Sequence, residues 1–149
     1  MRLLLCVVGA PRGPMAAAIA EYERRAMRYW PLVVREVKEG RGDIAAVRRQ
    51  EGERLRDAAG AARVIALSER GELHDSAAFA ARVGGWQEAA RDVALVLGGA
   101  HGLDAGLESG AERRLGLAPF TLPHDLARLV LAEQLYRAGT IRRGEPYHK

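Results

Sequence analysis

Cysteine is nearly absent from this 149-residue chain. A single Cys6 excludes a disulfide framework and a cysteine-rich zinc site. Because it lies inside an apolar run, it reads as a small buried hydrophobe. Long hydrophobic stretches are missing too. The apolar opening Leu3–Val8 is too short for a signal peptide or a membrane span, so no membrane association and a cytoplasmic location are expected. No two of the four histidines fall three or four residues apart, and no carboxylate completes a ligand set, so no metal is expected. There is no Gly-x-Ser-x-Gly or Cys/His pattern for acyl transfer. The glycine cluster Gly98-Gly99-Ala100-His101-Gly102 lacks the Lys-Ser/Thr pair of a phosphate-binding Walker loop and does not follow Gly-x-Gly-x-x-Gly. Repeats, low-complexity tracts and linkers are lacking, so residues 1–149 read as one domain. A domain of this length buries roughly 68–70% of its unfolded surface and needs no staples.

What is present points to a globular protein: 48% hydrophobic and 28% charged residues. The net charge of +4, from 23 basic and 19 acidic residues, permits a polyanionic partner without demanding one. Mixed runs such as Glu21–Arg25 and Arg48–Arg56 read as solvated helix faces. The tail differs, because Arg142, Arg143 and Lys149 have only Glu145 to offset them.

The elements alternate. Arg2–Val8 reads as a buried strand. Met15, Ile19, Tyr22, Ala26 and Tyr29 then recur at alternating four- and three-residue spacing, one face of a helix that Pro31 stops. Pro31–Val37 reads as a second strand. Asp43 caps a helix with a thin apolar stripe at Ile44, Val47 and Leu55, ended by Gly60. Ala62–Leu67 reads as the third strand and Ser68–Asp75 as a polar turn. Ser76 caps a helix running through Phe79, Val83 and Trp86 or Gln87. Val93–Leu97 is the fourth and most apolar strand. Asp104 caps a short helix through Gly110. Leu115–Phe120 is a weaker fifth strand, and Leu122–Ala138 a last helix with Leu126, Leu129, Val130 and Leu135 inside. This β-α alternation predicts an α/β fold with a mostly parallel sheet of five or six strands and helices on both faces.

Chemistry concentrates in the last third. A buried strand running into Gly98 and Gly99 exposes backbone amides at a strand's C-terminal end, where α/β proteins bind ligands. A tight turn needing positive φ competes with that reading. His124 follows Pro123 at a strand-to-helix junction, where capping and ligand contact are equally open. His74 reads as solvated. Arg137 is either a favourable charge near a helix C-terminus or a clamp for substrate. Tyr147 and His148 matter only if the tail docks. Docked, an aromatic ring and an imidazole beside basic residues can stack on and hydrogen-bond an unpaired base.

Arg91–Gly99 (Arg-Asp-Val-x-Leu-x-x-Gly-Gly), Thr121–His124 (Thr-Leu-Pro-His), Leu135–Ala138 (Leu-Tyr-Arg-Ala) and Pro146–His148 (Pro-Tyr-His), with the opening Arg2–Gly9, resemble the ribosomal RNA large subunit methyltransferase H family over nearly the whole chain. The last three motifs, in that order near the terminus, are the specific ones. The resemblance implies a small SPOUT-class enzyme that uses S-adenosylmethionine to methylate N3 of a pseudouridine in a hairpin loop of large-subunit (23S) rRNA in the assembled ribosome. It implies a C-terminal deep trefoil knot, within residues 67–149, that forms the cofactor pocket. It also implies a homodimer with the active site at the subunit interface. By the same analogy the cofactor lies against Leu67, Gly98, Gly99, Gly102, Ala118, Pro119, Phe120, Thr121, Leu122 and Pro123. His148, Arg137 and Tyr147 are the catalytic candidates, and His124, Arg142, Arg143 and Lys149 the substrate-binding ones. This chain has Ala100 and His101 where the family usually has a proline and an acidic residue. Competing readings are a SPOUT methyltransferase acting on another RNA such as tRNA, a non-catalytic ribosome-binding module, and a generic nucleotide-binding α/β domain.

Overall fold

Side chains along the first strand sort two cores. In β1 (Leu3–Val8), Leu3, Leu5 and Val7 join one buried apolar cluster and Leu4, Cys6 and Val8 the other. Strands expose alternate residues to opposite faces, so a run that is apolar throughout needs cover on both. The computed structural model describes residues 1–149. It supplies that cover with helices α1 (Ala16–Ala26), α2 (Ile44–Ala59), α3 (Ser76–Glu88), α4 (Ala105–Gly110) and α5 (His124–Arg142), between and after strands β2 (Leu32–Val37), β3 (Arg63–Leu73), β4 (Val93–Val96) and β5 (Arg113–Gly116).

The sheet is wholly parallel, in the order β2-β1-β4-β3-β5. Five strands form it, the lower of the numbers expected. Helices α1, α3 and α5 cover one face. There Leu5, Ile65 and Leu95 meet Phe79, Val83, Trp86, Leu131 and Leu135. Helices α2 and α4 cover the other, where Cys6, Ala94 and Val96 meet Leu55, Ala59 and Leu107. Each fully buried leucine contributes roughly 1.5–3 kcal/mol relative to an exposed one. Trp30 Nε1 donates to the Leu135 carbonyl at 2.7 Å, tying the end of the first helical unit to α5. No helix is long and apolar enough to cross a membrane.

Asp43 and Asp104 cap their helices as expected, each accepting from the backbone N–H three residues on. Several sequence expectations are corrected. The cap of α3 is Asp75, whose carboxylate accepts from Ala78 N at 2.7 Å, and not Ser76, whose hydroxyl donates to Gln134 on α5 instead. β3 does not stop at Leu67. Leu67 and Glu72 both oppose Leu115, so residues 68–71 leave the ladder as a bulge and pairing resumes at Glu72–Leu73. The bulge is polar because it faces outward, which is why it reads as a turn. β5 ends at Gly116, and Leu117–Pro123 is an irregular crossing from the sheet edge. Helix α5 runs to Arg142. Its inner face is Arg128, Leu131, Ala132, Leu135 and Ala138, while Leu126, Leu129 and Val130 are only half-buried. Ile44 is exposed, so the inner stripe of α2 is Val47, Glu51 and Leu55. His74 is not solvated. Its side chain is 9% exposed and Nε2 accepts from Arg82 Nε at 3.0 Å.

Candidate functional site

Three neighbouring strands, β4, β3 and β5, end together, and the residues expected to meet a cofactor sit at or beyond those ends. Leu67 closes the first part of β3 opposite Leu115. The chain leaves β4 into Leu97 and the glycine loop, where Gly102 N donates to the Gly99 carbonyl at 3.1 Å. The positive φ of +84° falls on Gly102. Gly98 and Gly99 serve close approach. A Cβ on Gly98 would lie 2.5 Å from the Gly102 carbonyl carbon, and one on Gly99 would lie 2.9 Å from Glu51 Oε1. The loop is braced from α2, where Arg48 Nε donates to the His101 carbonyl at 2.6 Å. Beyond β5, Thr121 donates to Glu69 of the β3 bulge at 3.2 Å. Ala118 and Leu122 are half-buried, and Pro119 and Pro123 exposed. Phe120, 81% exposed, has the most accessible large apolar side chain in the chain.

A cavity of about 370 Å³ opens beside this loop, at the C-terminal ends of β1 and β4. Gly99 and His101 border it on one side, His124 and Asp125 at the start of α5 on another, and Glu51 on α2 forms part of its wall. His124 Nε2 lies 3.3 Å from Asp125 Oδ1. A more open cavity of about 480 Å³ at the β3–β5 edge is lined by Arg70, Arg113 and Arg114 with three glutamates, and contains none of the expected site residues.

The tail docks. After the positive-φ Gly144, Glu145 N donates to Thr140 O and Tyr147 N to Glu145 O, folding the last residues back on α5. Tyr29 on the first helical unit donates to Glu145. Arg137, Tyr147 and His148 come together: Arg137 lies 4.7 Å from the Tyr147 ring centroid, and its Nη1 is 3.1 Å from His148 Nδ1. Glu133 holds the group, accepting from Arg137 at 2.6 Å and from the Tyr147 hydroxyl at 3.0 Å. Burial and the bonds to neighbouring groups push the Tyr147 phenol well above its ordinary range. His148 remains exposed, so an aromatic face, a guanidinium and an imidazole share one accessible surface.

The other basic candidates are committed elsewhere. Arg142 donates to Glu88 and packs across Gly84 of α3. Arg143 stacks on Tyr29 at 4.7 Å and donates to the Arg28 carbonyl. Lys149 is exposed at the terminus. No cluster of three or more His, Cys, Asp or Glu is placed to hold a metal ion.

The family model described as "Predicted SPOUT methyltransferase" matches residues 1–148. The chain belongs to the SPOUT methyltransferase family. Among curated relatives, the ribosomal RNA large subunit methyltransferase H of Gemmatimonas aurantiaca is 54% identical over 154 residues, covering all of both chains. Proteins of the same name from Anaeromyxobacter sp. (strain Fw109-5) and Paracoccus denitrificans are 52% and 41% identical, again covering this whole chain and 100% and 99% of theirs. The fold is similar to that of a probable methylase family protein from Haemophilus influenzae, with a TM-score of 0.54 and 16% identity over 99% of this chain and 70% of that one.

One feature of the cavity beside the glycine loop escaped sequence reading. Glu51, 4% exposed, borders the cavity with its Oε1 unpaired. The signal was available: 47, 51 and 55 lie one turn apart on the inner stripe of α2, so a carboxylate occupies an apolar position.

Proposed function

We propose that this SPOUT protein methylates N3 of a pseudouridine in a hairpin loop of large-subunit rRNA, using S-adenosylmethionine and acting on the assembled ribosome in the cytoplasm. The observation that carries the reading is the docked cluster of Arg137, Tyr147 and His148, which gives the most specific sequence motifs a shared accessible surface. Full-length relatives named for large-subunit rRNA methylation support the substrate class.

The residues fit the cofactor. Gly98, Gly99 and Gly102 carry no side chain to crowd a ligand beside the apolar Leu67, and the crossing Ala118-Pro119-Phe120-Thr121-Leu122-Pro123 lies within reach of the bulge that follows Leu67. When bound, S-adenosylmethionine supplies an electrophilic methyl group on a sulfonium, so the protein's own contribution is mainly positioning. Membership of the SPOUT family supports a deep trefoil knot made by the C-terminal segment within residues 67–149.

Arg137 orients the base and stabilises charge on its carbonyl oxygens as the N3 proton leaves. His148 positions the base: its Nδ1 accepts from Arg137, which leaves Nε2–H to donate to a carbonyl of the base, and the N3 proton passes to water. Tyr147 fixes the tail. His124 sits beside the glycine loop, whereas Arg137 lies 13 residues further along α5, about 20 Å along the helix axis. Methyl transfer needs contact of roughly 3 Å. We therefore infer a homodimer in which a second copy brings its tail cluster to this chain's glycine loop. The half-buried Leu126, Leu129 and Val130 supply apolar surface for it. Two copies double the +4 charge presented to RNA.

The test is transfer of labelled methyl to ribosomes lacking large-subunit modifications, with free large subunits and bulk tRNA alongside. Label confined to large-subunit rRNA of assembled ribosomes is expected. Label in tRNA overturns the substrate, and cofactor binding without transfer to any RNA favours a binding module. His148→Ala and Arg137→Ala should each lower turnover at saturating ribosome by roughly 100-fold or more. Wild-type turnover in both refutes their roles.

A further inference from the structure

Glu51 stands where an apolar residue belongs, between the buried Val47 and Leu55. A carboxylate is costly to bury unless its oxygens are paired. Oε2 is paired, accepting from Gly40 N at 3.0 Å. Oε1 is not, and it is the only buried side-chain polar atom in the structure without a partner. Such an atom in a native protein calls for an explanation, and a ligand donor is one. Oε1 faces Gly99, occupying the space a side chain there would need. Both residues border the 370 Å³ cavity.

Glu51 therefore lines a cavity whose rim is the glycine loop, and its unpaired oxygen lies just behind Gly99 on that rim. Its role rests on the methyltransferase reading: where the glycine loop flanks the methyl donor, the cavity beside it is where the acceptor base enters. Uridine and pseudouridine both present N3–H between two carbonyls. They differ on one edge, where pseudouridine offers N1–H and uridine offers only C5–H. A carboxylate oxygen can accept the first and gains nothing from the second.

We propose that Glu51 is the specificity-determining residue for the base, accepting the N1–H of pseudouridine at Oε1. The role is selection, not proton transfer. Uridine entering the same cavity would leave Oε1 buried and unpaired, as it is in the free protein.

Full-length protein is tested on two ribosome preparations that both lack the methylation. One carries pseudouridine at the target and the other uridine, because the pseudouridine synthase has been removed. Initial rates are compared for wild type, Glu51→Gln and Glu51→Ala, with S-adenosylmethionine affinity measured by calorimetry. Wild type should prefer pseudouridine by roughly 10- to 100-fold, the range of a hydrogen bond to a charged group. Gln offers one acceptor oxygen for two donors, Gly40 N–H and the base. Its preference should collapse toward parity because the pseudouridine rate falls, with cofactor affinity retained. Glu51→Gln keeps the shape of the side chain, so it carries the test if Glu51→Ala does not fold. Equal wild-type rates on both ribosomes, or a Gln variant slowed on both by one factor, overturn the role of Glu51. Wild type inactive on both ribosomes overturns the methyltransferase reading, and this inference with it.

Discussion

Arg128→Ala should destabilise the protein by about 3–5 kcal/mol, the cost of stranding a buried charge. Arg128 is 6% exposed on α5. Its Nε and Nη2 donate to the two oxygens of Glu23 on α1 at 2.6 and 3.2 Å, and Nη1 donates to Glu36 on β2 at 2.9 Å. The two partners are unequal. Glu36 is 40% exposed at its side chain and water replaces the lost contact, so it adds little. Glu23 is 7% exposed and has no such relief. Most of the loss therefore comes from one unpaired carboxylate. For a chain of this size, that corresponds to a fall of roughly 6–20 °C in Tm. Urea unfolding should show a lower midpoint at unchanged slope. The double variant Glu23→Leu with Arg128→Leu should recover most of the loss, because replacing both members of a buried pair with apolar groups is often neutral or better. A single variant costing under about 1 kcal/mol, or a double variant no better than the single, refutes the argument.

Gly98→Ala should cost about 1–3 kcal/mol and weaken S-adenosylmethionine binding, because its Cβ would collide with the Gly102 backbone 2.5 Å away. Gly110→Ala, with open space around it, is the control, and equal calorimetric affinities for the two variants would refute the role of the loop. Tyr147 should ionise only well above its ordinary 10.0. A raised phenol pKa favours the neutral form in the folded state, so the tail's contribution is complete below pH 10 and is lost as pH rises through the raised value. Spectroscopic titration of tyrosinate should lose its latest step in Tyr147→Phe. Burial pushes the Cys6 thiol up to about 11, so a thiol reagent at pH 8 should label unfolded protein only.

Strands with a strong apolar signal were legible by themselves. Leu3–Val8 and Val93–Leu97 are apolar on both faces, which only a covered parallel sheet satisfies, and both lie at the centre of one. Helix caps at Asp43 and Asp104 were legible because the bond spans three residues. The second half of β3 was not, since its partner is β5, some 40 residues on, and its polar side chains face outward. The inner face of α5 was hidden for the same reason. Arg128 looks like a surface residue until Glu23 and Glu36 are brought beside it from other elements. The tail's motifs were readable, but its docking depends on Tyr29, Glu133 and Thr140.

Spacing between neighbours and short ordered motifs carry the β-α alternation, the glycine loop and the family to which the chain belongs, so all three were readable before any fold was known. Three features came only with the folded chain: Glu51 keeps an unpaired oxygen behind Gly99, Arg137 and His148 share one surface, and that surface lies far from the glycine loop within one chain. Burial and pairing of a charge are properties of what surrounds it. In this fold those surroundings come from segments tens of residues away, whose approach no local pattern records.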